Sequence, residues 1–170
     1  MKKKNIANYI TFSRIISTLV MAFSKVTGNI FKVAYIYAGL SDVLDGFAAR
    51  KLHIESEFGK KLDSISDLFF YTTMMIRIWP YLTKYLPWQI WGMIWTTFGF
   101  RVALYFYVSL AHNRFLSNHT YLNKATGFLL FFVPFMIETT FFVNYSTLVV
   151  SVALIAVIYE MTIVIKKRSV

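Results

Sequence analysis

The sequence predicts an all-α integral membrane protein, a six-transmembrane-helix bundle with a short N-terminal juxtamembrane helix, with residues 1–170 forming a single domain. Three observations predict it. The chain is 57% hydrophobic and only 15% charged, whereas charged residues make up about 25% of a soluble domain. Its apolar runs recur at about the 20-residue length that a bilayer demands. Its cations gather in short clusters beside those runs, as membrane topology requires. The net charge of +10 therefore reads as a topology signal and not as a nucleic-acid patch, and no nucleic-acid partner is expected.

The elements follow in order. Lys2, Lys3 and Lys4 open the chain, ahead of an interfacial stretch over 5–15 and an apolar run to Phe23. Arg14 interrupts that apolar run, which argues against a cleaved signal peptide. The spans are expected at roughly 8–26, 30–50, 60–80, 87–110, 121–142 and 145–165. Turns are expected at roughly 27–29, 83–87 and 143–146, and only Lys25, Lys32 and Lys84 lie near them. The opposite loops carry Arg50, Lys51, Lys60, Lys61, Arg114 and Lys124, and the chain ends on Lys166, Lys167 and Arg168. An even span count and this bias place both termini on the cytoplasmic side of a cell membrane. There is no cysteine, so disulfides and thiolate metal ligands are excluded.

The chemistry concentrates in 42–67, DVLDGFAARKLHIESEFGKKLDSISD. Asp42 and Asp45 are three residues apart, and Asp63 and Asp67 are four apart, so on helices each pair shares a face. Carboxylates at membrane depth are costly and imply a partner or a task. Two facing helices would bring all four together, a set of hard oxygen ligands for Mg²⁺, Mn²⁺ or Ca²⁺. A paired-metal site suits phosphoryl chemistry. Gly46, Ala48, Ala49 and Gly59 leave a thin surface for close approach, and Arg50 carries a planar fork that matches phosphate. The loop between the two pairs is short, so the carboxylates are expected in one cavity open to the cytoplasm.

This stretch resembles the signature of the CDP-alcohol phosphatidyltransferase family, D-x2-D-G-x2-A-R-x8-G-x3-D-x3-D, at every fixed position: Asp42, Asp45, Gly46, Ala49, Arg50, Gly59, Asp63 and Asp67. The resemblance implies an enzyme of phospholipid biosynthesis that moves a phosphatidyl group from CDP-diacylglycerol to a small alcohol and releases CMP. It implies a two-metal site for Mg²⁺ or Mn²⁺ held by Asp42, Asp45, Asp63 and Asp67, with Asp67 also the catalytic base. By the same resemblance, Gly46, Ala49 and Arg50 form the CDP-binding surface, Gly59 is a close-packing position beside it, and the protein is a homodimer in the bilayer.

The acceptor is read from two further stretches. Asn5, Ile6, Asn8, Thr11 and Arg14 resemble the NIPNxxTxxR opening of phosphatidylglycerophosphate synthases and eukaryotic-type cardiolipin synthases, with Ala7 where those have Pro. That favours glycerol 3-phosphate, whose phosphate Arg101, Arg114 and Lys124 would receive. Ser64 and Leu68 stand where that subfamily has Pro and Lys, and this part resembles phosphatidylserine synthases instead. Arg101 has a competing reading, in which it pairs with Glu138 or snorkels to the interface. Glu160 is expected at the interface. More distant readings are a membrane prenyltransferase, which lacks the continuation from Gly46 to Arg50, and a non-enzymatic cation carrier.

Overall fold

The computed structural model describes residues 4–52, 57–112 and 120–168. Their regular elements are helices: α1 (Lys4–Phe23), α2 (Asn29–Leu52), α3 (Glu57–Tyr85), α4 (Trp88–His112), α5 (Tyr121–Phe131), α6 (Val133–Met136) and α7 (Phe142–Arg168). The chain divides into two compact units, Met1–Leu82 and Thr83–Val170.

In the first unit, α1 and α2 form a hairpin whose turn depends on Gly28. The Gly28 N–H donates to the Lys25 carbonyl at 2.8 Å, and a Cβ at Gly28 would stand 3.1 Å from that same oxygen. The helices then pack through small residues. Ala34, Ala38, Thr18 and Ser41 are buried between them, and the Ser17 hydroxyl donates to the Ala34 carbonyl at 2.9 Å. Such residues let backbones approach closely and return hydrogen bonds across the seam, a helix-pairing mode suited to lipid. α3 meets this hairpin through long side chains. The Tyr35 and Phe70 rings stack at 5.5 Å, and Arg77 donates to the Ser24 carbonyl just beyond α1. Helix ends leave carbonyls without intrahelical partners, so a cation there is favourable.

In the second unit, Leu104 and Val108 of α4 pack with Val157 of α7, flanked by Tyr107, Leu154, Met161 and Val164. α5 starts at Thr120, whose hydroxyl accepts from the Asn123 N–H at 3.4 Å. It is joined to α7 by the Tyr145 hydroxyl, which donates to the Leu129 carbonyl at 2.7 Å.

Large apolar side chains are exposed on both units, among them Phe23, Ile30, Leu68, Trp88, Leu110 and Phe128. Helices apolar around their circumference belong in lipid or in a large core. Two helices, over Trp88–Leu110 and Phe142–Ile165, are long and apolar enough to cross a membrane, and the apolar part of α1, Tyr9–Phe23, is shorter. The membrane character expected from composition thus finds support in α4 and α7, and the count of six spans rests on the helix layout alone.

Three expectations are corrected. The N-terminal stretch is one continuous helix from Lys4 to Phe23, not a juxtamembrane helix followed by a span. The fifth span, expected over 121–142, stops at Phe131. Pro134 lacks an N–H and its ring clashes with the carbonyl four residues back, so the chain restarts as the one-turn α6 with Pro134 near its start. The final turn then falls before Phe142, and residues 143–146 lie inside α7.

Candidate functional site

The first unit brings acidic residues of α2 and α3 onto one basic residue of α1. Asp42 comes from α2, and Asp63 and Asp67 from successive turns of α3. Their ligand oxygens lie within 4.8 Å of one another. Arg14 stands at their centre. Its Nη1 is 3.2 Å from Asp42 Oδ1, 3.0 Å from Asp63 Oδ1 and 2.5 Å from Asp67 Oδ1. The Arg14 Nε donates to the Ser41 hydroxyl at 3.3 Å, and the Ser41 hydroxyl donates to the Ala38 carbonyl at 2.8 Å. The Arg14 side chain is 1% exposed, while those of Asp42, Asp63 and Asp67 are 42%, 42% and 35% exposed. The guanidinium therefore lies beneath a carboxylate surface that opens outward.

Electrostatics explains why a cation belongs there. Two carboxylate oxygens no more than 4.8 Å apart repel by at least about 3.5 kcal/mol at an effective dielectric near 20. Partial exposure lowers that figure, but three such pairs still oppose each other. Arg14 neutralises one of the three charges and leaves the described set at net −2, from three aspartates and one arginine. The set fits a hard divalent ion. Mg²⁺ holds oxygens at about 2.1 Å, so ligands on opposite sides stand about 4.2 Å apart. A separation of at most 4.8 Å is compatible with that value.

Asp45, Gly46, Ala49 and Arg50 lie on the C-terminal turns of α2, and their side chains fall outside the described residues, as does Arg114 entirely. Gly59 lies in the first turn of α3, one turn before Asp63. Arg14 was legible as the lone cation in the apolar part of α1. Its role at the aspartates was not, because the contacts join residues 28, 49 and 53 positions apart.

The second unit carries its own polar cluster. Arg101 Nη1 reaches Glu160 Oε2 at 3.2 Å, and Nη2 donates to Asn123 Oδ1 at 3.0 Å. The Asn123 amide donates in turn to Glu160 Oε1. Glu160 is buried within the protein, and Glu138 is exposed. Arg101 is thus paired, with Glu160 in place of Glu138. Lys124 follows Asn123 in the first turn of α5, is exposed, and lies over the Tyr121 ring at 5.7 Å.

Comparison with known proteins places this geometry. The chain is 38% identical over 63 residues to the CDP-diacylglycerol--inositol 3-phosphatidyltransferase of Schizosaccharomyces pombe, covering 36% of this chain and 27% of that protein. It is 33% identical over 69 residues to the CDP-diacylglycerol--glycerol-3-phosphate 3-phosphatidyltransferase of Rickettsia felis, covering 38% of each. It is 34% identical over 71 residues to a cardiolipin synthase (CMP-forming) / mitochondrial hydrolase fusion protein of Schizosaccharomyces pombe, covering 41% of this chain and 12% of that protein. The chain therefore spans well under half the length of the curated relatives it matches. No solved structure matches it significantly. The CDP-alcohol phosphatidyltransferase family model, however, matches residues 4–164, from the start of α1 through most of α7 and across the whole aspartate stretch, and the chain belongs to that family.

Proposed function

We propose that this chain transfers a phosphatidyl group from CDP-diacylglycerol to glycerol 3-phosphate, releasing CMP, in a membrane. The observation that carries the reading is the convergence of Asp42, Asp63 and Asp67 from α2 and α3 on one point. The acceptor hydroxyl oxygen bonds to the phosphatidyl phosphorus, the bond from that phosphorus to the CMP oxygen breaks, and the hydroxyl proton passes to Asp67. Asp67 suits that role, since its carboxylate is partly open, 35% exposed, among the three. Asp42, Asp63 and Asp67, joined by Asp45, would hold Mg²⁺ or Mn²⁺, which supplies charge stabilisation for the diphosphate and the departing CMP. Gly46, Ala49 and Arg50 would receive the CDP moiety, with Gly59 allowing close packing.

For the acceptor, support comes from the glycerol-3-phosphate transferases among the relatives. Arg101, Arg114 and Lys124 are the proposed receivers of its phosphate. Asn123 brings Arg101 to the turn of α5 that carries Lys124. Serine is the alternative acceptor, favoured by Ser64 and Leu68. The working form is a six-span homodimer with both termini and the site facing the cytoplasm, and mass measurement in detergent tests the dimer. The deciding experiment supplies purified protein with labelled CDP-diacylglycerol, Mg²⁺ and a panel of alcohols, then resolves the lipids. Phosphatidylglycerophosphate is expected. Product from serine alone overturns the acceptor, and no CMP release with any alcohol overturns the activity.

A further inference from the structure

We propose that Arg14 is a built-in counter-ion of these carboxylates and competes with divalent metal for the same oxygens. This rests on the reading of Asp42, Asp63 and Asp67 as metal ligands. The first observation is the position of one nitrogen. Arg14 Nη1 touches one oxygen from each of three carboxylates, at 3.2, 3.0 and 2.5 Å. A single guanidinium nitrogen carries two hydrogens for those three acceptors. One cation thus touches an oxygen from each of the three carboxylates that would hold a divalent ion.

The second observation is burial. The arginine is enclosed and the carboxylates are partly open, so Arg14 reaches the oxygens from the protein side and an ion reaches them from the open side. The third is anchorage. Ser41 holds Nε, and the Thr18 hydroxyl donates to the Arg14 carbonyl at 2.8 Å. The arginine is built into the α1–α2 seam, so its charge stays near the oxygens whether or not an ion is bound. An entering ion either strips those oxygens of their hydrogen bonds or binds beside a positive charge. Both weaken metal binding. Removing Arg14 therefore tightens it and leaves the metal-free protein less stable. A residue that served only to pre-arrange the ligands would behave in the opposite way, its loss weakening metal binding.

The test measures Mn²⁺ binding by electron paramagnetic resonance on the full chain in detergent, for wild type, Arg14→Met and Arg14→Lys. Asp63→Asn in each background identifies the signal that belongs to this site. Arg14→Met is expected to bind Mn²⁺ about tenfold more tightly than wild type, or about 1.4 kcal/mol. Arg14→Lys, which keeps the charge on a shorter reach, should fall between them. The metal-free melting temperature of Arg14→Met should lie below that of wild type, with the gap closing at saturating Mn²⁺. Equal or weaker Mn²⁺ binding by Arg14→Met overturns the inference. If Arg14→Met gives no folded protein even with Mn²⁺, Arg14→Lys decides alone, tighter binding supporting the competition and equal or weaker binding overturning it. If wild type shows no Mn²⁺ binding that Asp63→Asn abolishes, the metal reading itself falls, and this inference with it.

Discussion

Replacing Arg101 by alanine removes the only cation within reach of a buried carboxylate among the described residues of its cluster. Glu160 is 3% exposed and, among the described residues, keeps Asn123 as its partner after the change. Breaking a buried ion pair from one side costs about 3–5 kcal/mol, because the remaining charge is uncompensated. The Arg101 side chain is 22% exposed, so water reaches the gap and the low end, about 3 kcal/mol, applies. At about 2–4 °C per kcal/mol for a chain of this size, the melting temperature should fall by about 6–12 °C. Adding Glu160→Gln removes the orphaned charge while keeping an amide that can bond Asn123, and should restore about 2 kcal/mol. The assay is tryptophan fluorescence during thermal unfolding in detergent, on both single variants and the double. If Arg101→Ala melts within about 1 kcal/mol of wild type, or the double variant is no more stable than Arg101→Ala, the buried pair is not what holds α4, α5 and α7 at this point. The same variants separate stability from substrate binding. A rise in the KM for glycerol 3-phosphate in the double variant, with little change for CDP-diacylglycerol, is expected if Arg101 also receives the acceptor phosphate.

Asp63→Asn should lose most CMP-releasing activity and bind Mn²⁺ more weakly, since it removes an anionic ligand without changing size; full activity at ordinary Mg²⁺ would remove Asp63 from the site. Asp67→Asn should lower kcat more than the KM for either substrate if Asp67 takes the hydroxyl proton, and steady-state kinetics with both substrates varied would show it. Ala38→Leu should destabilise the first unit by about 1–3 kcal/mol, because Ala38 is fully buried in the α1–α2 seam and a larger side chain must force the helices apart; an unchanged melting temperature would show that the seam is looser than described. Cysteines introduced as Ser56→Cys and Asn144→Cys should label from opposite faces of a sealed vesicle, and labelling of both from one face would refute the six-span arrangement.

Much of this was legible along the chain. Asp42, Asp63 and Asp67 announce themselves by spacing, because a helix repeats every 3.6 residues and turns a three- or four-residue interval into a shared face. The ends of α2, α4 and α7 fall within a few residues of the apolar boundaries, since the same burial that makes a run apolar also favours helix. Gly28 marked its turn. Pro134 stood in plain view inside the fifth apolar run, yet hydropathy alone carried the span past it; the missing N–H and the ring clash weigh more locally than the surrounding phenylalanines.

Pairing emerges only from packing. The family, the helical character and the chemistry on offer are written along the chain, because spacing, composition and motif are properties of neighbouring residues. Local pattern reads Arg14 as part of the NIxNxxTxxR-like opening and offers Glu138 as the partner of Arg101. Folding put Arg14 against three aspartates up to 53 residues away and Glu160 against Arg101, 59 residues away. Such partners are selected by the cost of leaving a charge buried and alone. That cost arises only once helices pack and exclude water, so no local pattern in the chain records which opposite charge will meet it.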